Sequence, residues 1–170
     1  MVDINKKILS QIDLYYGTIQ MPKGFEIDRD ILQKDILIHK IQDCPFPFSR
    51  DWDKLNTFLR EHILCEYGFS LINQLTVGYN FKPQESSFPE KDVNEVDLKN
   101  SPDYTMLYGV NVENCSVRIY YNDNRRAGRN WDISLTNNKF IIFPSNLYYF
   151  ITNNQKDKLN SVMKITYEYC

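Results

Sequence analysis

After Gly68 the spacing of apolar side chains changes from a helical rhythm to alternation, and the alternating runs are short and divided by turn residues. Seven runs stand out, at 70–79, 104–112, 116–121, 130–135, 139–143, 147–152 and 161–169. Turn chemistry separates them at 113–114, 122–128, 136–138 and 153–158. Alternation sends successive side chains to opposite faces of a strand. Seven such strands at even spacing form a sandwich, a jelly roll or a closed barrel; a βαβ sheet would need a helix between strands. The stretch 82–103 carries three prolines and no period, and reads as a loop with room for one short strand.

The first 68 residues read differently. Asp3 is placed to cap a helix with Ile4, Ile8, Ile12 and Tyr15 on one face and Gly17 at its end. Over 25–41 two readings stand: a helix capped by Asp28 or Asp30 and running through Ile31, Lys34, Ile38 and Ile41, or a strand at 25–27. The strongest helix covers 50–67. Ser49 is a good N-cap, Asp51 and Asp53 suit the positive end of the dipole, and Gly68 marks the stop. Trp52, Leu55, Leu59, His62 and Ile63 share its apolar face. No repeat or low-complexity linker interrupts the 170 residues, so one domain is expected. It is mainly β with N-terminal helices (α+β), a helical buttress over 1–68 and a jelly roll over 69–170.

Composition removes several chemistries. The six glycines are too scattered for a phosphate-binding or nucleophile-elbow motif. Two histidines, His39 and His62, exclude any site with three imidazoles. Cys44, Cys65, Cys115 and Cys170 are isolated, which fits free thiols in a reducing compartment and neither a zinc ribbon nor a redox dithiol. The net charge of −2 argues against nucleic-acid binding through bulk charge. No apolar segment follows the charged start, so no signal peptide is expected, and the longest strongly apolar run, 140–143, is far too short to span a bilayer. These features point to a cytoplasmic protein with no membrane partner. The abundance of Asn, Ile, Lys and Tyr points to an AT-rich coding genome, viral or bacterial.

The C-terminal layout "DYTMLYGVNV", "SVRIYY", "WDISL", "NNKFIIFPSNLYYFITNN" and "SVMKITYEY" resembles the double-stranded β-helix of the iron(II)/2-oxoglutarate-dependent oxygenases, in particular short prolyl-hydroxylase-like proteins of phage type. The resemblance implies that Phe143-Pro144-Ser145-Asn146-Leu147-Tyr148-Tyr149 is the frame presenting the second metal histidine, with Tyr149 in the histidine's place. It implies a first ligand pair before the "YTMLYGVNV" strand, where 85–92 offers carboxylates and no histidine. It also implies an arginine on the last strands to grip 2-oxoglutarate, where 158–164 offers lysines, which lack the bidentate fork. Such an iron needs two imidazoles and one carboxylate. The expectation is therefore a non-catalytic, metal-free, phage-encoded protein in a host cytoplasm or virion, with no cofactor. The alternative is an atypical Fe(II) and 2-oxoglutarate oxygenase with ligands drawn from Glu85, Glu90 or Asp92 together with Tyr149. Tyr149 is expected to point inward and plug the metal's space, bonded to an Asn or Ser of a neighbouring strand.

Other residues are candidates on their own chemistry. His39 could share a helix face with Asp43, and His62 with Cys65, but no orienting third group accompanies either pair. The hairpin 122–131 carries Arg125, Arg126 and Arg129 with Tyr120, Tyr121 and Trp131 at its base. Arginines beside aromatics suit a phosphate, a single-stranded nucleic acid or an acidic protein surface; a charged tip also serves solubility and discourages edge pairing. The binding expectation thus rests on Arg125, Arg126, Arg129 and Trp131. A protein partner or self-association is favoured over a small molecule, with nucleic acid open through the arginines. Tyr108, Tyr120, Tyr148 and Tyr167 alternate with apolar neighbours, which places tyrosines on both faces of the sheets.

Overall fold

The computed structural model describes residues 12–42, 49–65, 71–122 and 129–169. Eight strands and two α-helices follow one another as β1 (Tyr15–Thr18), α1 (Arg29–Gln42), α2 (Arg50–Leu59), β2 (Leu71–Phe81), β3 (Tyr104–Asn111), β4 (Cys115–Asn122), β5 (Arg129–Leu135), β6 (Lys139–Pro144), β7 (Tyr148–Asn153) and β8 (Asn160–Tyr169). A five-stranded sheet has the order β1-β6-β3-β8-β2, and a three-stranded sheet the order β5-β4-β7. Every pairing is antiparallel.

The large sheet is buried on both faces, and its sequence shows why. On β3, β6 and β8 one set of alternating residues (Met106, Tyr108, Val110, Phe140, Ile142, Met163, Ile165, Tyr167) packs against Leu32 and Ile36 of α1 and Trp52, Leu55 and Leu59 of α2. The other set (Leu107, Ile141, Phe143, Val162) meets Val117, Ile119, Ile133, Leu135, Tyr149 and Ile151 of the small sheet. A sheet covered twice needs apolar residues at nearly every position, which is how "TMLYGV" and "KFIIF" read. The small sheet has a wet outer face, so β5 alternates more openly. These two antiparallel sheets make the expected jelly roll.

Seven of the eight strands coincide with the alternating runs within two residues at each end. The eighth, β1, corrects the expected helix over Ile4–Tyr15: Tyr15 to Thr18 pair with Ile142 to Lys139. Residues 1–11 of that reading lie outside the described residues. Gly17 is there because the Phe140 ring lies over the strand, and an added Cβ would come within 3.0 Å of it. Of the two readings for 25–41 the helix is correct, and Asp28 is its cap. The Asp28 carboxylate accepts from the backbone N–H of Asp30 and Ile31, both at 3.0 Å. The helix expected over 50–67 is α-helical to Leu59 and continues as a π-turn through Arg60–Leu64. Ser49 stands at its N-cap but makes no side-chain cap bond; its carbonyl accepts from Trp52 and Asp53. His62 is exposed, in contact with the Phe58 ring.

Gly109 answers to a different constraint. The turn at 136–138 folds back over β3, and a Cβ at Gly109 would lie 2.0 Å from the Thr136 carbonyl oxygen. Asn138 holds that turn with φ +64°, its N–H donating to the Gly109 carbonyl and its side chain accepting from Tyr108 and Arg29. No helix among the described residues is long and apolar enough to cross a membrane.

Candidate functional site

The segment 82–103, expected as a loop with room for one short strand, is tied to the small sheet. It is not a free loop: residues 85–92 run antiparallel along the outer edge of β7. Ser87 N–H donates to the Ile151 carbonyl at 2.8 Å, Glu90 and Tyr149 exchange both backbone bonds at 2.9 Å, and Asn153 N–H donates to the Glu85 carbonyl at 2.8 Å. Isolated bridges form at Ser86–Thr152 and Glu90–Tyr149, reinforced by a 2.8 Å bond between the Ser86 and Thr152 hydroxyls. Pro83 and Pro89 prevent a continuous ladder, since proline has no N–H to give. Asp92 N–H then donates to the Ser145 carbonyl, anchoring the segment beside the "FPS" corner.

This docking brings four polar side chains together between the sheets. Tyr149 is fully buried on the inner face of β7, against Phe143. Its hydroxyl lies 2.8 Å from Glu90 Oε1 and 3.1 Å from Asp92 Oδ2, so one phenolic proton serves two carboxylates. From the facing sheet, Lys164 in the middle of β8 reaches the same carboxylates: its Nζ is 2.6 Å from Asp92 Oδ1 and 3.7 Å from Glu90 Oε1. Thr105 Oγ1 donates to Asp92 Oδ2 at 2.8 Å and bonds the Ser145 hydroxyl at 2.9 Å. The Tyr79 ring lies 5.4 Å from the ammonium. Asp92 and Lys164 are nearly closed off from water (side chains 10% and 8% exposed), whereas Glu90 is partly open.

The electrostatics follow from burial. Desolvation, joined by the negative Asp92 and Glu90, pushes the Tyr149 phenol far above its ordinary range, so it is a neutral donor. Burial alone lowers the Lys164 ammonium, but Tyr79 and Asp92 outweigh it and hold it above the usual lysine value. The net effect is a closed set: one fixed cation, two carboxylates, and a phenol and a threonine hydroxyl donating to them. A set like this is costly to build and costly to break, because removing one partner strands a buried charge.

The expected partners of Tyr149 are corrected here. Its hydroxyl meets the carboxylates of the docked segment, and not an Asn or Ser of a neighbouring strand. Of the three carboxylates named as alternative ligands, Glu90 and Asp92 are at Tyr149, but Glu85 is not: it accepts from the Lys82 backbone N–H at 2.6 Å. Lys164 was within the lysine-bearing stretch of the sequence, but its inward position was missed. A lysine set between the apolar residues Val162, Met163 and Ile165 is the available signal.

The donor set does not fit the iron that the resemblance implies. Glu90, Asp92 and Tyr149 offer oxygens only, and both histidines belong to the helical layer on the far side of the large sheet. A divalent ion bound to Asp92 would come within about 4 Å of the ammonium, a repulsion of about 8 kcal/mol at an effective dielectric of 20. Among the described residues no group of three or more His, Cys, Asp or Glu side chains is placed to hold a metal ion.

Of the four hairpin candidates, Arg129 and Trp131 fall within the described residues. Arg125 and Arg126 are outside the described residues. Arg129 and Trp131 are exposed on β5. Trp131 pairs across β4 with Ile119, which pairs with Tyr149, so the indole shares Tyr149's face two strands away. It packs edge-on to Tyr16 at 5.2 Å. Ile12, Asp13, Leu14, Ile119, Tyr121, Trp131 and Leu147 line a mostly apolar cavity of about 290 Å³ there. The tyrosines divide as alternation predicts: Tyr108 and Tyr167 are buried under the helices, and Tyr120 and Tyr148 lie on the outer face of the small sheet.

No family model matches the sequence, and no curated protein matches it. Solved structures do. A prolyl-4-hydroxylase from Pseudomonas putida superposes with a TM-score of 0.61 at 10% identity, covering 92% of this chain and 88% of its own. AviO1 from Streptomyces viridochromogenes Tue57 gives 0.63 at 11% identity, with 91% and 89% covered. HygX from Streptomyces hygroscopicus, solved with nickel and 2-oxoglutarate bound, gives 0.60 at 8% identity, with 92% and 82% covered. The chain therefore has the double-stranded β-helix fold of the 2-oxoglutarate/Fe(II) oxygenases, as its "FPSNLYY" frame suggests.

Proposed function

We propose that this chain is a non-catalytic, metal-free double-stranded β-helix protein that works as a binding module. One observation carries the reading: the side chains that meet at Tyr149 form a complete ion-paired network, Lys164–Asp92–Glu90–Tyr149, with no imidazole and no uncompensated carboxylate pair left for a metal. The interior is thus committed to stability. Recognition falls to the exposed surface of β4 and β5, where Trp131, Tyr121 and the mostly apolar cavity offer contact area and Arg129 offers a charge-assisted donor. Exposed aromatic and arginine side chains around an apolar hollow favour a protein partner or a second copy over a small polar metabolite. The phage source and the host-cytoplasm or virion location belong to the same proposal.

The test is turnover. Aerobic incubation with Fe(II), ascorbate and 2-oxoglutarate should yield no succinate above a protein-free control. Succinate at or above one equivalent per chain per minute would replace this reading with the oxygenase alternative. For the hairpin, Arg125, Arg126 and Arg129 replaced together by Ser should weaken association with a protein or with itself at least tenfold. Affinity left unchanged would remove the hairpin from the proposal.

A further inference from the structure

We propose that the Lys164 ammonium is the resident cation of this site, seated between the carboxylates where a divalent ion would have to bind, and that it keeps hard divalent cations out. The inference rests on the reading that the wild-type interior takes no iron, which the all-oxygen donor set disfavours, and it says which side chain excludes the hard divalent ions that such a set would suit.

The oxygen donors are held by bonds independent of Lys164. Glu90 is fixed by its paired backbone bonds to Tyr149, Asp92 by its N–H to the Ser145 carbonyl, and the Asp92 carboxylate by Thr105. Tyr149 is fixed by β7 and by burial. Lys164 arrives from the opposite sheet, where it is paired with Val77 and Leu107. Among the described residues its Nζ is the cationic atom within 4 Å of both carboxylates. Removing it leaves Glu90, Asp92 and the oxygens of Tyr149 and Thr105 in place, with two negative charges in a poorly solvated space. Two carboxylates with neutral oxygen donors suit hard divalent ions such as Mn²⁺, Mg²⁺ or Ca²⁺, and show no preference for iron. A monovalent charge tethered to the chain offsets one of the two carboxylates in every copy without a free-ion supply, and the Tyr149 and Thr105 hydroxyls donate to the carboxylates beside it.

The test compares the wild-type chain with Lys164→Ala, Lys164→Arg and the double variant Lys164→Ala/Asp92→Asn, titrated with Mn²⁺ and followed by electron paramagnetic resonance. Wild type and Lys164→Arg should show no saturable site at millimolar Mn²⁺. Lys164→Ala should bind one equivalent with a Kd of about 10⁻⁴ M, and the double variant should lose at least tenfold of that affinity. Should Lys164→Ala fail to fold alone, Mn²⁺-dependent recovery of its β-sheet circular dichroism is the readout. A second arm uses the wild type only: the ¹⁵N-edited signal of the Lys164 ammonium should survive Mn²⁺ without paramagnetic broadening. Saturable Mn²⁺ in wild type or Lys164→Arg, a broadened ammonium signal, or no gain in Lys164→Ala by either readout would overturn the inference. If wild type stays inert to Fe(II) and 2-oxoglutarate while Lys164→Ala gains nothing, the inference fails alone. Succinate from wild type would take the proposed function with it.

Discussion

A single phenol decides much of the chemistry at Tyr149. A histidine there would need a metal or an acid; a tyrosine needs only acceptors, and Glu90 and Asp92 supply two within 3.1 Å. Replacing the hydroxyl by hydrogen leaves the ring's packing intact but deprives both carboxylates of a donor. Tyr149→Phe should therefore destabilise the chain by about 1–3 kcal/mol with an unchanged denaturant slope, as read by urea unfolding. A loss under 0.3 kcal/mol would mean that the network is not energetically coupled to the fold. Tyr149→His would not create an iron site, because Lys164 and the all-oxygen partners remain. The residue identities at this site were legible as a set of absences, since no histidine lies near "FPSNLYY". That Lys164 faces inward was not legible, because strand periodicity gives a face only once the sheet covering each side is known.

Among the elements, the strands were read well and their neighbours less so. Alternation between turn residues locates β2 to β8 because each strand's burial follows from its own sequence. β1 was misread because four residues carry too few apolar positions to separate periods of 2 and 3.6, and Gly17 looked like a helix stop. The sequence leaves room for a short strand in 82–103, but hides the place of segment 85–92 beside β7 for a related reason. Its backbone pairs with β7, but Pro83 and Pro89 break the period and its inward residues, Glu90 and Asp92, are polar. A functional or once-functional interior is where hydrophobic patterning fails as a guide. The hairpin joining β5 to β6 offers a sharper test of element geometry. With the Thr136 carbonyl 2.0 Å from an added Cβ, Gly109→Ala must shift the turn, at a cost of about 1–3 kcal/mol, readable as a lower melting temperature. An unchanged melting temperature would show that the turn yields freely.

At the scale of the whole molecule, the buried tyrosines and Lys164 bias the same way. Burial pushes Tyr108 up to about 12, against a lowering by Arg29, and holds Tyr149 and Tyr167 still higher; Lys164 is also raised. The unfolded chain loses these protons from about pH 10 to 10.5 while the folded chain keeps them. Stability from these groups is complete below pH 10 and is lost as pH rises above it. Alkaline titration should show a delayed tyrosinate absorbance that appears together with unfolding. Ionisation of every tyrosine near pH 10 in a still-folded chain would contradict this.

The same closed interior underlies the functional claim, and ligand binding reports on it without assuming any substrate. A ligand that binds only the folded state raises its melting temperature by mass action, by about 2.7 kcal/mol of stability at a hundredfold excess over Kd. The decisive measurement is an anaerobic thermal unfolding scan of the wild-type chain with Fe(II) and 2-oxoglutarate, together and separately. The account predicts a melting temperature unmoved by either addition or both. A saturable rise of several degrees that requires both would contradict it.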